Sequence, residues 1–180
     1  MRMSKRALLI ETAIDIVEKH GLNHLTYESL AAATGLSKSG LIYHFPSRDA
    51  LLRAMHEQLA HTWEQEMIAA AGGTAENIDE RTRVRASFIV MSQSATLSDL
   101  RLALDAVGNP TMQEPWLDVM RRWSVSEETI TKIPRLYLLN VIADGLWVHD
   151  HVNGFVLTDQ QRTALVSSAL ALYDECVPPH

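Results

Sequence analysis

Residues 35–47 read Gly35-Leu36-Ser37-Lys38-Ser39-Gly40-Leu41-Ile42-Tyr43-His44-Phe45-Pro46-Ser47, and the fold of the whole chain turns on how this stretch is read. Ser37 is a helix N-cap residue, its hydroxyl suited to accept an otherwise unpaired backbone N–H. Pro46 cannot continue a helix and biases Phe45 before it away from helical backbone. About two turns of helix fit between those limits. Upstream, Thr26 is a second N-cap, predicting a helix through Leu30 to Thr34 that Gly35 ends. The two helices are then joined by only three residues, the spacing of a helix-turn-helix. Packing them so closely needs a small residue in the first, a glycine in the turn and apolar residues behind. Ala31, Gly35, Leu30, Leu36 and Leu41 supply these. Before them, Leu9, Ile10, Ala13, Ile16 and Val17 mark one face of a first helix, closed by His20-Gly21.

The exposed face of the third helix reads Ser37, Lys38, Ser39, Gly40, Tyr43 and His44. Short hydroxyls and a lysine suit phosphates and base edges. Gly40 costs a helix about 1 kcal/mol against alanine, which suits backbone that must come close to another surface. A glycine turn between short helices also occurs in all-α proteins with no DNA role, and in that reading Tyr43 and Phe45 are ordinary core.

The run Arg6, Leu9-Ile10, Ala13, Ile16-Val17, Gly21, Thr26, Leu30-Ala31, Thr34 to Arg48 and Leu51-Leu52 resembles the N-terminal domain of the TetR family of one-component transcriptional repressors. The likeness covers roughly residues 5 to 52 and follows the Gly-Leu-aliphatic-Tyr-His-Phe subgroup. Gly40 stands where many members carry threonine, and Ile42 where many carry tyrosine. The resemblance implies DNA contact by Thr26, Ser37, Lys38, Tyr43, His44 and Arg48.

Downstream, helical periodicity predicts a long fourth helix from Arg48 to about Ala71. Further helices follow from Asn77 or Asp79, from Thr96 or Ser98, through Trp116 to Trp123, over Ile133 to His151, and from Thr158 to about Asp174. Ser124 to Thr131 reads as a polar loop or a single turn. Two β-looking fragments, at 87–91 and 155–157, are too short to outweigh the pattern. The expectation is an all-α protein of about nine helices. A helix-turn-helix domain at 1–48 precedes a ligand-binding and dimerisation domain at 49–180.

Ala143-Asp144-Gly145-Leu146 resembles a signature of the family's penultimate helix, and the family pairs its last two helices across a twofold axis. Leu139, Ala143, Leu146, Leu165, Ala169 and Leu172 are the expected seam; the alternative is that they pack inside one subunit. Dimerisation would place two reading helices about 34–36 Å apart on successive major grooves.

Trp63, Met67, Phe88, Met91, Trp116, Met120 and Trp147 combine adaptable sulfur with flat aromatic faces, a composition suited to a lipophilic ligand. Asp105, with Glu64, Glu114 and Asp144 near the same stripe, would favour a flat cation if buried beside the rings. Such stripes are also ordinary core.

Charge is uneven. Residues 1–48 carry six Lys and Arg against four acids; the rest carries ten against eighteen, within a net charge of −6 over 180 residues. That fits an anion-facing head on an acidic body rather than a coat for nucleic acid. Hydrophobic content of 47% is ample for a core, and no apolar run reaches the roughly 18 residues of a membrane span. Without a recognisable export signal, and with Cys176 as the single cysteine, a cytoplasmic location is expected. His56 with His61, and His149 with His151, lack metal-ligand spacing, and no nucleophile elbow or phosphate cradle is present. Neither an enzyme nor a cofactor is expected. The sequence therefore reads as a homodimeric repressor of double-stranded operator DNA, released by a small lipophilic inducer, with a multidrug efflux gene as one candidate target. The alternative is a helical homodimeric small-molecule-binding or protein-interaction module without sequence-specific DNA binding.

Overall fold

A computed structural model describes residues 4–125, 127–132 and 134–176. Ten α-helices and one short 3-10 turn make up its regular structure, and no strand occurs among the described residues. The chain divides into two compact units, residues 1–62 with 96–117, and 63–95 with 118–180.

The first unit begins with α1 (Lys5–His20), whose N-terminus is capped by the Ser4 hydroxyl accepting from the Ala7 N–H at 3.1 Å. Its buried face is Leu9, Ile10, Ala13, Ile16 and Val17. After a 3-10 turn at Leu22–His24, α2 (Tyr27–Thr34) opens with a capping box, Thr26 and Ser29 each accepting from the other's backbone N–H at 3.0 Å. Gly35 ends α2 in the left-handed conformation at φ 69°, which a side chain would strain. Next, α3 (Lys38–His44) is capped by Ser37, which accepts from the Gly40 N–H at 3.2 Å. The first part of α4 (Arg48–Ala71), α6 (Leu97–Ala106) and the start of α7 (Pro110–Trp123) complete the unit.

Leu9, Val17, Leu30, Leu41, Met55 and Leu102 are fully buried in one continuous core. At about 25 cal/mol per Å² of apolar surface, each such side chain contributes roughly 1.5–3 kcal/mol, which short helices need because alone they are marginal. Two reciprocal polar contacts bind α6 to α1. The Glu18 carboxylate accepts the Ser98 N–H at the N-terminus of α6, and Arg101 donates to the Val17 and Glu18 carbonyls at the C-terminus of α1. Each charge sits at the helix end whose dipole it complements. Residues 96–117, which hold α6 and the opening of α7, fall in the same compact unit as the helix-turn-helix.

The second unit holds the end of α4, α5 (Glu80–Met91), the end of α7, α8 (Glu127–Lys132), α9 (Pro134–Val152) and α10 (Asp159–Cys176). Residues 87–91 lie inside α5, so the first β-looking fragment is helical. Residues 124–131, expected as a loop or single turn, contain most of α8, which an exposed Lys132–Glu128 pair at 2.6 Å supports one turn apart. Ile133, expected to start the next helix, lies outside the described residues, and α9 is described from Pro134. Thr158 and Gln161 form the expected capping box before α10, at 2.9 and 3.3 Å.

A buried polar hub ties this unit together. Arg162 of α10 is 8% exposed and donates to the Ser92 carbonyl at 2.6 Å, the Leu146 carbonyl at 3.0 Å and the Asp150 carboxylate at 2.8 Å. Asp150 also accepts the Leu157 N–H at 3.1 Å. Burial pushes the Asp150 carboxyl upward, but hydrogen bonds from Leu157, Ser94 and His149 and the Arg162 charge outweigh it and hold the pKa at about 2. His151 Nε2 meets the Ala95 carbonyl at 2.7 Å in the same region.

Candidate nucleic-acid interface and sensor residues

The burial of α3 divides it cleanly. Leu41 and Phe45 are 0% and 2% exposed and face the core. Lys38, Ser39, Ile42 and Tyr43 face outward, with Ile42 43% and Tyr43 85% exposed. The supporting side is well built: the Tyr27 hydroxyl donates to the Phe45 carbonyl at 2.6 Å, and the Arg6 guanidinium lies 5.1 Å from the Phe45 ring centre. A rigid shelf thus presents a short helix whose outer face is otherwise unpacked.

The residues expected to touch DNA have different local roles. Thr26 and Ser37 are exposed N-caps with hydroxyls engaged by backbone, and the Ser37 and Ser39 hydroxyls lie 3.1 Å apart. Lys38 is paired with Glu28 of α2 at 2.6 Å, both side chains well exposed. Their hydrogen bond, then their charges, lower the Glu28 pKa and raise that of Lys38. Tyr43 stands edge-on to the half-buried His44, ring centres 5.2 Å apart. Exposed Arg48 reaches the Leu22 carbonyl at 3.4 Å. A Cβ at Gly40 would sit 3.3 Å from the Ser37 hydroxyl, so its close intramolecular neighbour is the cap of its own helix. Sequence reasoning missed Glu28, ten residues from its partner, and passed over Ile42, which it read as part of the motif's aliphatic pattern.

The residues expected to hold a ligand do not all fall in one unit. Trp63, Met67, Phe88, Met91, Met120 and Trp147 belong to the second, and Asp105 and Trp116 to the first. Met67, Phe88 and Met91 are buried at 0%, 2% and 7% exposure. Half-buried Trp63 and Trp147 meet edge-to-face, centres 6.2 Å apart. Glu64 beside them is already matched: Arg122 donates to both its oxygens at 2.8 and 2.7 Å and the Trp123 indole N–H adds a third bond at 3.1 Å. Asp105 is exposed. The Glu64 carboxylate is thus paired within the chain. In the first unit, the Trp116 indole N–H donates to Nδ1 of fully buried His56 at 2.9 Å, which leaves the His56 proton on Nε2. Burial lowers the His56 pKa, and the Asp105 charge offsets this in part.

The expected dimer seam also divides. Leu139, Ala143, Leu146 and Ala169 are 2–7% exposed and packed into the chain itself. Leu165 and Leu172 are 45% and 57% exposed, and Leu138 and Val141 on α9, each 54% exposed, extend the outward apolar face. A groove of about 310 Å³ between α9 and α10 adjoins it, lined in part by Leu138, Ile142, Leu172 and Tyr173. No group of three metal-binding side chains forms among the described residues, and no helix among them is long and apolar enough to cross a membrane.

Two family models match the chain. Residues 9–55 match bacterial regulatory proteins of the tetR family, and residues 80–174, over half of the chain, match the tetracyclin repressor-like C-terminal domain. The chain belongs to the TetR family. It is 32% identical over 60 residues to the HTH-type transcriptional regulator RutR of Escherichia coli K12, and to the same regulator of Shigella flexneri. That alignment takes in 33% of this chain and 28% of RutR, so the chain spans under a third of the curated relatives it matches. Among solved structures, a transcriptional regulator from Pseudomonas aeruginosa PAO1 superposes with a TM-score of 0.70 at 17% identity, covering 97% of this chain and 92% of that one. The multidrug binding protein EbrR, complexed with imidazole, gives 0.60 at 18% identity, covering 95% and 96%. At these identities the likeness is one of fold.

Proposed function

We propose that this TetR-family chain is a ligand-responsive transcriptional repressor that binds a pseudo-palindromic operator as a homodimer and is released from it by a small lipophilic inducer. It is read as one of the Gly-Leu-aliphatic-Tyr-His-Phe subgroup. The observation that carries DNA binding is α3: a capped helix, buried along Leu41 and Phe45, with Lys38, Ser39, Ile42 and Tyr43 turned outward. The exposed Leu138, Val141, Leu165 and Leu172 favour pairing through α9 and α10. Two copies of α3 held one helical turn of DNA apart would read sites that one seven-residue helix cannot.

For the inducer, the aromatic and methionine side chains of the second unit favour a lipophilic molecule. Glu64 is already paired with Arg122, so a cationic inducer would have to meet another of the expected carboxylates. Binding of multiple drugs is a property of EbrR; control of an efflux gene is a hypothesis for this chain. Release would need only that inducer and operator favour different arrangements of the heads, with α4 the continuous element that leads from the helix-turn-helix into the second unit. A coupling of about 1–3 kcal/mol suffices, and the operator must weaken inducer binding by the same factor.

The test is footprinting of the full chain on DNA flanking its own gene. The proposal expects two protected major-groove segments about one helical turn apart. It further expects Tyr43→Ala to abolish the protection while the melting temperature is unchanged. Uniform binding to any duplex, or protection unaffected by Tyr43→Ala, would reject it in favour of a helical module without sequence-specific DNA binding.

A further inference from the structure

We infer that Ile42 is a base-reading residue of α3 and that it recognises the 5-methyl group of a thymine in the major groove. The inference rests on the DNA-binding reading and deepens it.

At 100° per residue, the outward residues follow one another round α3 in the order Lys38, Ile42, Ser39, Tyr43 over about 140°. Ile42 therefore sits within the exposed arc, flanked by Lys38 and Ser39, and not at its edge against the core. Neither folding nor helix propensity accounts for an isoleucine there. The core-facing positions are taken by Leu41 and Phe45, while Ile42 keeps 43% of its surface in solvent. A β-branched side chain also disfavours a helix relative to straight-chain residues. The polar neighbours are less available than the sequence suggests, since Lys38 is held by Glu28 at 2.6 Å and the Ser39 hydroxyl lies 3.1 Å from Ser37. Gly40 offers no side chain at all. In the major groove, the apolar group that distinguishes one base from the others is the thymine methyl, and aliphatic side chains read it by contact.

The experiment uses the full chain to select binding sites from a random-sequence duplex library. Each thymine of the enriched site is then replaced singly by deoxyuridine, which removes only the methyl group. Burial of one methyl corresponds to about a fourfold change in affinity. The expected result is one thymine in each half-site whose replacement weakens wild-type binding about fourfold, and about fifteenfold when both are replaced. The same replacement should leave Ile42→Ala binding unchanged. Circular dichroism and melting temperature of Ile42→Ala should match wild type, as suits an exposed position. Enrichment of a site whose binding ignores every deoxyuridine, or a methyl effect of full size in Ile42→Ala, would overturn the inference while leaving DNA binding in place. Failure to enrich any duplex would overturn the DNA-binding reading and this inference together.

Discussion

Replacing Arg162 by methionine should destabilise the second unit severely, because three acceptors lose one cation in a nearly dry site. Arg162 is 8% exposed, and its partner Asp150 has a side chain only 9% exposed. Methionine approximates the aliphatic stem, so the loss is polar: the Asp150 carboxylate keeps its hydrogen bonds from the Leu157 N–H, Ser94 and His149 but loses the Arg162 charge. Breaking one side of a buried pair costs about 3–5 kcal/mol. The retained hydrogen bonds place this case toward the lower end, and the two abandoned carbonyls raise it again. For a chain of this length about 2–4 °C are lost per kcal/mol, so the melting temperature should fall by roughly 6–20 °C. The assay is thermal unfolding followed by tryptophan fluorescence, to which Trp63, Trp123 and Trp147 of this unit report. The double variant Arg162→Met with Asp150→Leu should recover part of the loss. A shift below about 2 °C for Arg162→Met, or strictly additive effects in the double variant, would refute the reasoning. The pH dependence has a defined sign. The folded pKa of Asp150, about 2, lies below its ordinary value, so its stabilisation is complete above pH 4 and is lost as pH falls toward 2. Asp150→Asn should flatten stability in that window.

Three more outcomes are expected. His56 is buried with a lowered pKa, so the unfolded chain takes up its proton more readily as pH falls below about 6.5, and stability drops. His56→Gln, which can still accept from Trp116, should show a smaller loss between pH 7.5 and 5.5 in urea unfolding; an identical loss would discount the group. Glu28→Gln should free Lys38 and tighten operator binding by no more than about fivefold, as suits an exposed pair. Lys38→Met should reduce the salt slope of binding by about one for each protomer, and an unchanged slope would remove Lys38 from the phosphate contacts. Val141→Glu with Leu172→Glu, both on the outward apolar face, should yield monomers in light scattering and lower operator affinity; a persistent dimer would place the seam elsewhere.

The helix boundaries were legible because caps are local. Thr26, Ser37, Asp79, Thr96 and Thr158 each accept from a backbone N–H three residues on, a relation that sequence displays directly. Gly21 and Gly35 mark helix ends at positive φ for the same reason. By contrast, α8 reads in sequence only as a loop or single turn, because its helical support is an exposed pair rather than an apolar stripe. Periodicity showed that α9 has an apolar face but not what covers it: Leu139, Ala143 and Leu146 point into the chain, while Leu138 and Val141 point out. The aromatic stripe had the same ambiguity, and its members divide between the two units. Contacts between distant segments carry no sequence periodicity, so neither Glu28 on Lys38 nor Arg122 on Glu64 could be anticipated. The helix-turn-helix was therefore readable as a scaffold, while the charges that tune its face were not.

The central claim, that α3 lies in the major groove, is tested most directly by methylation interference on a selected duplex. Methyl groups placed at guanine N7 occupy the major groove, and those at adenine N3 occupy the minor groove. The account predicts that N7 methylation blocks binding at two clusters about one helical turn apart, with adenine N3 methylation between them tolerated. Interference confined to adenine N3, or absent from both grooves, would contradict it.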